Sequence, residues 1–137
     1  MTVFSNSTED TEKAGESFAG NLSSGDVVAF RGGMGVGKTA FIKGLAKGLG
    51  IECEVTSPTF TLINEYRGGK LNLCHMDAWR LQSHQEIDDI GLYDYIDSGW
   101  AVAVEWSEKL LLNPTFTVTI ERTSDNGRTI HLEGNEL

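Results

Sequence analysis

Apolar residues recur along the chain with two different periods. Ser7 and Thr8 precede Glu9 and Asp10, a hydroxyl-then-acid order that starts helices. Ala14, Phe18 and Leu22 then fall at i, i+4 and i+8, one helical stripe that Gly25 is expected to end. Residues 27–30 form a short unbroken apolar run between Gly25 and Gly32 and read as a buried strand. Phe41, Leu45 and Leu49 make a second helical stripe, closed by Gly48 and Gly50. Further on the period shortens. Residues 59–66 are β-branched and aromatic, and Gly68-Gly69 joins them to residues 71–76 as a hairpin. Residues 82–96 read as an acidic helix interrupted near Gly91, and residues 101–104 as another buried strand. Residues 115–121 alternate, Asp125-Asn126-Gly127 turns, and residues 128–132 return, the clearest hairpin in the chain. A strand–loop–helix unit in front of a mixed sheet defines an α/β domain, expected to span 1–137 as one unit.

Composition narrows the partners. The 137 residues carry 11 Lys and Arg against 20 Asp and Glu, a net charge of −9. Phosphate neutralisation needs clustered cations, so the balance argues against binding DNA or RNA through a basic surface. It also disfavours anionic lipid, and no apolar run approaches the roughly 20 residues of a membrane span. Residues 1–10 have neither the basic stretch nor the apolar core of a secretory signal. Cys53 and Cys74 make no disulfide framework, and a reducing, cytoplasmic setting is expected. With His75 and His84 they lack zinc-ligand spacing.

The strongest chemical signal lies between the first buried strand and the second helical stripe. Gly32-Gly33-Met34-Gly35-Val36-Gly37-Lys38-Thr39 fits the phosphate-binding pattern G-x-x-x-x-G-K-[ST] in full. Glycines let backbone N–H groups close on phosphate oxygens with no Cβ in the way. The helix beginning near Lys38 adds its positive end, Lys38 supplies a point charge, and the Thr39 hydroxyl is a Mg²⁺ ligand. A nucleotide would rest on Gly33, Met34, Gly35, Val36, Gly37, Lys38, Thr39 and Ala40.

Such a loop needs carboxylates at the ends of neighbouring strands. Asp77 follows residues 71–76 and Glu105 follows residues 101–104, at the edge where open α/β sheets bind ligands. One of them would hold Mg²⁺ and the other orient the attacking water. The more apolar Ala-Val-Ala-Val run favours Glu105 for the metal. His75 reads first as a structural histidine, Trp79 and Trp100 as core or partner surface. Glu86, Asp88, Asp89, Asp94 and Asp97 read as a solvated acidic face or a docking surface. No Asn-Lys-x-Asp guanine motif and no Leu-Ser-Gly-Gly signature is present, and Arg67, Arg80, Arg122 and Arg128 are too scattered for a nucleotide-kinase lid.

Four blocks in order carry a family resemblance. They are residues 32–39 followed by Ala40-Phe41; Ser57-Pro58-Thr59-Phe60-Thr61-Leu62 followed by Glu65-Tyr66; His75-Met76-Asp77-Ala78-Trp79-Arg80-Leu81; and Glu105-Trp106. On these the chain resembles the TsaE (YjeE) family, the ATPase of bacterial tRNA threonylcarbamoyladenosine (t6A) synthesis. It departs from the family pattern at Gly33, where an acid is usual, and at Ala78-Trp79, which replace Leu-Tyr. The resemblance implies a three-layer P-loop NTPase with a mixed parallel and antiparallel central sheet. It implies ATP and Mg²⁺, with Thr39 and Glu105 on the metal. Lys38, Asp77, Glu105 and Trp106 would be the catalytic set, with Asp77 essential for hydrolysis. Residues 57–61 would be a mobile loop whose Thr59 and Thr61 follow the γ-phosphate. Thr8 and Thr11 would lie near the adenine, and Arg128 would approach the nucleotide. Implied partners are TsaD- and TsaB-type proteins, whose complex ATP turnover would reset. With the −9 charge, tRNA would be reached only through that complex. A small-molecule kinase and a nucleotide-gated binding module are the rival readings.

Overall fold

Two runs, residues 27–30 and 101–104, have no polar face at all, and such strands are stable only where a sheet is covered on both sides. A computed structural model, which describes residues 1–33, 35–52, 54–55, 63–77, 91–105, 113–134 and 137, places them at the centre. In chain order the elements are β1 (Thr2–Ser5), α1 (Thr8–Phe18), a 3-10 turn (Ala19–Asn21), β2 (Val27–Arg31), α2 (Lys38–Gly48), β3 (Ile63–Tyr66) and β4 (Leu73–Asp77). Then follow α3 (Leu92–Asp97), β5 (Ala101–Glu105), β6 (Phe116–Arg122) and β7 (Arg128–Gly134). The seven strands lie in the order β1-β7-β6-β2-β5-β4-β3. The middle four, β6, β2, β5 and β4, are parallel. β3 is antiparallel to β4 at one edge; β7 is antiparallel to β6 and β1 to β7 at the other. The expected α/β class and mixed sheet are what the chain forms.

Alternation along the strands sorts the core into two. Val28, Phe30, Leu73, Ala101 and Ala103 face α1 and α2, together with Val118, Ile120, Ile130 and Leu132 of the β6–β7 hairpin. Val27, Cys74, Met76, Val102 and Val104 face the other way, toward α3 and Trp100. Helices therefore stand on both faces, giving three layers.

The N-cap of α1 is Ser7, whose hydroxyl accepts from the Asp10 amide at 3.1 Å, with Glu9 and Asp10 in the first turn. The helix ends at Phe18 and a 3-10 turn, short of Gly25; of the expected stripe Phe18 is buried and Ala14 and Leu22 pack partly buried against the same core, with Thr11 and Gly15 buried beside them. For Gly15 the cause is the neighbour. A Cβ on Gly15 would strike the Phe41 carbonyl oxygen of α2, and one on Gly44 would strike the Glu12 carbonyl oxygen of α1. At Gly48, the last residue of α2, it would meet the Glu16 carbonyl oxygen at 2.5 Å, so Gly48 closes the helix as expected and also serves the crossing.

β1 was not expected. It is four residues long, with one fully buried side chain, Ser5, and its pairing partner β7 is at the far end of the chain. The expected β3–β4 and β6–β7 hairpins form in register. Of the expected strand over 59–66, residues 63–66 are described. Of the expected acidic helix, α3 is the described part, entered through Gly91 at φ 87°. Asp94 and Asp97 lie on it; Glu86, Asp88 and Asp89 lie outside the described residues. No helix among the described residues is long and apolar enough to cross a membrane.

Candidate functional site

The loop between β2 and α2 turns on two glycines. Gly32 has φ +141°, and a Cβ there would sit 2.6 Å from the Ile120 carbonyl oxygen. Gly37 has φ +114° and is the N-cap of α2, to which it brings no capping side chain. No N-cap side chain closes this end of α2, the arrangement that suits an anion. Lys38 opens the helix and is buried. Its ammonium donates to the Gly32 carbonyl at 3.1 Å and lies 3.6 Å from Oε1 of Glu105. Thr39 follows it on the first turn.

The parallel strands deliver the acids to the same edge. Asp77 and Glu105 end β4 and β5 and are register neighbours, and Glu105 also opposes Phe30 of β2. Alternation puts both acids in phase with Leu73 and Ala103, on the α1–α2 face. β4 and β5 have the same profile, four buried residues and then an acid of intermediate exposure. Burial therefore does not rank Glu105 above Asp77; contacts single it out. Its Oε1 faces Lys38, and its Oε2 lies 3.1 Å from Nε2 of His75, a fully buried residue. Burial of the Glu105 carboxyl works to raise its pKa. The hydrogen bond and charge of His75, followed by Lys38, outweigh this and hold it below the usual carboxylate range. The group is therefore an ionised oxygen donor at the strand edge, and Thr39 offers a hydroxyl on the first turn of α2. Hard oxygen donors of this kind suit Mg²⁺, which takes one or two protein ligands and fills its shell with phosphate and water.

A cavity of about 140 Å³ opens beside the loop. Thr8 and Thr11 of α1 form one wall, Gly35, Val36, Gly37 and Ala40 the floor, and Asp125, Asn126 and Arg128 of the β6–β7 turn the other wall. The Thr11 hydroxyl is 2.7 Å from that of Ser5 at the end of β1, so the edge strand braces this wall. Arg128 donates through Nε to the Val36 carbonyl at 2.8 Å, and through a terminal nitrogen to the carbonyls of Gly127 at 2.8 Å and Ser124 at 3.3 Å. Its guanidinium ties the hairpin turn to the phosphate loop.

Of the residues singled out from sequence, the structure gathers Lys38 and Glu105 at one point. It sets Asp77 beside them in register, and gathers Thr8, Thr11, Gly35, Val36, Gly37, Ala40 and Arg128 around one cavity. Gly33 stands in the loop with open space where a Cβ would be, so the acid usual in the family has room there. Met34, Thr59, Thr61, Trp79 and Trp106, and the whole of residues 57–61, lie outside the described residues. Cys74 is a free, buried thiol, and Trp100 belongs to the α3-side core. Sequence reasoning missed two contributors, Ser5 and the pairing of His75 with Glu105. The second left a trace: His75 precedes Asp77 by two, the spacing of one strand face.

Known proteins give the arrangement a lineage. A sequence model of the family described as Threonylcarbamoyl adenosine biosynthesis protein TsaE matches residues 5–130. A Treponema pallidum protein named tRNA threonylcarbamoyladenosine biosynthesis protein TsaE is 43% identical over 121 residues, 88% of this chain and 89% of that protein. Its namesake in Bacillus subtilis is 40% identical over 125 residues, 89% of this chain and 78% of the relative. The crystal structure of Bacillus subtilis YdiB superposes with a TM-score of 0.74 at 33% identity, covering 95% of this chain and 82% of that one. A match this long, on a phosphate loop whose lysine meets a strand-end glutamate, decides the matter: the chain belongs to the TsaE family.

Proposed function

We propose that this chain is a Mg²⁺-dependent ATPase of tRNA threonylcarbamoyladenosine biosynthesis. The pathway follows from family membership and from the names of its relatives in Treponema, Bacillus and Aquifex. The observation that carries the chemistry is the buried Lys38–Glu105 pair at 3.6 Å, poised between the phosphate loop and the strand edge.

In this reading the loop amides and Lys38 take the β- and γ-phosphates, and the base enters the cavity between α1 and the β6–β7 turn. Thr39 and Glu105 hold Mg²⁺, which supplies neutralisation of phosphate charge. Asp77, one strand over from Glu105, orients water for in-line attack on the γ-phosphorus; the bond from that phosphorus to the bridging oxygen breaks, leaving ADP and phosphate. The work of the site is placement and charge balance, with no covalent step on the protein. TsaB- and TsaD-type proteins are the proposed partners, in the cytoplasm where tRNA is modified, with ATP turnover resetting their complex. A chain of net charge −9 is a poor phosphate-backbone binder, which supports tRNA contact through those partners.

Phosphate release from Mg-ATP, with and without TsaB and TsaD, tests the reading. Wild type is expected to be stimulated by the partners, and Lys38→Ala and Asp77→Ala to lose release by about a hundredfold or more. Nucleotide binding without release, even with partners, would overturn it in favour of a nucleotide-gated binding module. Transfer of labelled phosphate to an added acceptor would point to a kinase.

A further inference from the structure

His75 is the most buried polar side chain on the α1–α2 face of the parallel strands, at zero exposure, and it is expensive there. Its Nε2 is satisfied by Oε2 of Glu105 at 3.1 Å. Among the described residues its Nδ1 has no partner. An ionised carboxylate only accepts hydrogen bonds, so Nε2 is the donor of this pair, and the ring reaches no other described partner. A leucine or phenylalanine would fill the same space with no such penalty. What the imidazole adds is the bond to Glu105.

The strand register makes that bond reachable. His75 stands opposite Ala103, and Glu105 lies two residues further along β5 on the same face. The small Ala103 side chain leaves room for the ring to lean diagonally across to Glu105. Lys38 approaches the other oxygen, so the carboxylate is gripped on both sides.

We propose that His75 is a positioning residue: its Nε2–H holds the Glu105 carboxylate in the orientation that binds the divalent cation of the Mg²⁺–nucleotide complex. This rests on the ATPase reading above. Partners that orient a metal ligand are worth roughly ten- to a hundredfold in metal affinity.

Mn²⁺ titration of the ADP complex, followed by electron paramagnetic resonance, reads the effect directly. His75→Asn, whose amide is too short to reach Glu105, is expected to weaken Mn²⁺ by about tenfold or more. Its ADP affinity in EDTA should stay at the wild-type value. His75→Gln, with an amide nitrogen near the Nε2 position, should recover most of the loss. Unchanged Mn²⁺ affinity in the Asn variant overturns the proposal. So does an equal loss in the Asn and Gln variants, which assigns the effect to packing. Nitrogen-15 NMR of the unmodified protein is a second test: an Nε2–H tautomer for His75 supports the proposal, and an Nδ1–H tautomer overturns it. A wild type that binds ADP but takes up no Mn²⁺ overturns the ATPase reading itself, and this proposal with it.

Discussion

The two faces of the sheet are packed by different means. On the α1–α2 face a side-chain core that includes Phe18, Phe30 and Phe41 lies under two helices whose own crossing is backbone against backbone: Gly15 meets the Phe41 carbonyl, Gly44 that of Glu12, Gly48 that of Glu16. On the α3 face, side chains do the packing. Met76, Leu92, Val102, Val104 and Trp100 interdigitate, with Tyr95 edge-on to Trp100 at 5.1 Å and Arg67 4.7 Å above the same ring. Side-chain cores relax when altered, whereas main-chain contacts have nowhere to move. Lys38, His75, Asp77 and Glu105 all belong to the first face. The site is thus mounted on the face that combines the larger side-chain core with a main-chain helix crossing.

This contrast is open to test. The largest effect should come from the backbone crossing. Gly44→Ala forces a methyl into the Glu12 carbonyl and is expected to cost about 3 kcal/mol in urea unfolding. Because α2 carries Lys38 and Thr39, ADP affinity should fall with it. Retained affinity in the folded fraction would show that the crossing sets stability alone. Val102→Ala, on the α3 face, should cost about 2 kcal/mol while leaving ADP affinity of the folded protein unchanged. Loss of affinity there would erase the distinction between the faces.

The smallest effect concerns Cys74, also on the α3 face. Burial, with the nearby Glu65 charge second, pushes its thiol from 9.0 up to about 12. The folded thiol stays neutral where the unfolded one ionises. Its contribution is therefore complete below pH 9.0 and is lost as pH rises toward 12. Wild type should lose about 1 kcal/mol relative to Cys74→Ala between pH 8 and 10, read as convergence of their urea midpoints.

Elements with local signals were legible. Residues 32–39 declare their loop because each demand, glycine at positive φ and lysine at the helix start, is met within eight neighbours. The β6–β7 hairpin declares itself through alternation and its turn. What depends on distant partners was not legible. β1 has too few apolar positions to stand out, and its pairing with β7 spans nearly the whole chain. The stripe of Ala14, Phe18 and Leu22 on α1 does meet the core, but the inward Gly15 was not legible, because it is there for its smallness and hydropathy does not register smallness. Lys38 and Glu105 were found as separate motifs. That His75 binds Glu105 follows from the β4–β5 register, which no single strand contains.

The β1–β7 pairing has a consequence for the order in which the molecule is completed. Ser5 closes β1 and its hydroxyl braces Thr11 in the wall of the cavity beside the loop. During synthesis the first strand has no mate until the last one leaves the ribosome. The phosphate loop, β2 and α2 are local and are made early, yet the compartment next to them is finished only when the final hairpin arrives. That compartment is therefore completed late in the life of each new chain, once β1 and β7 have paired.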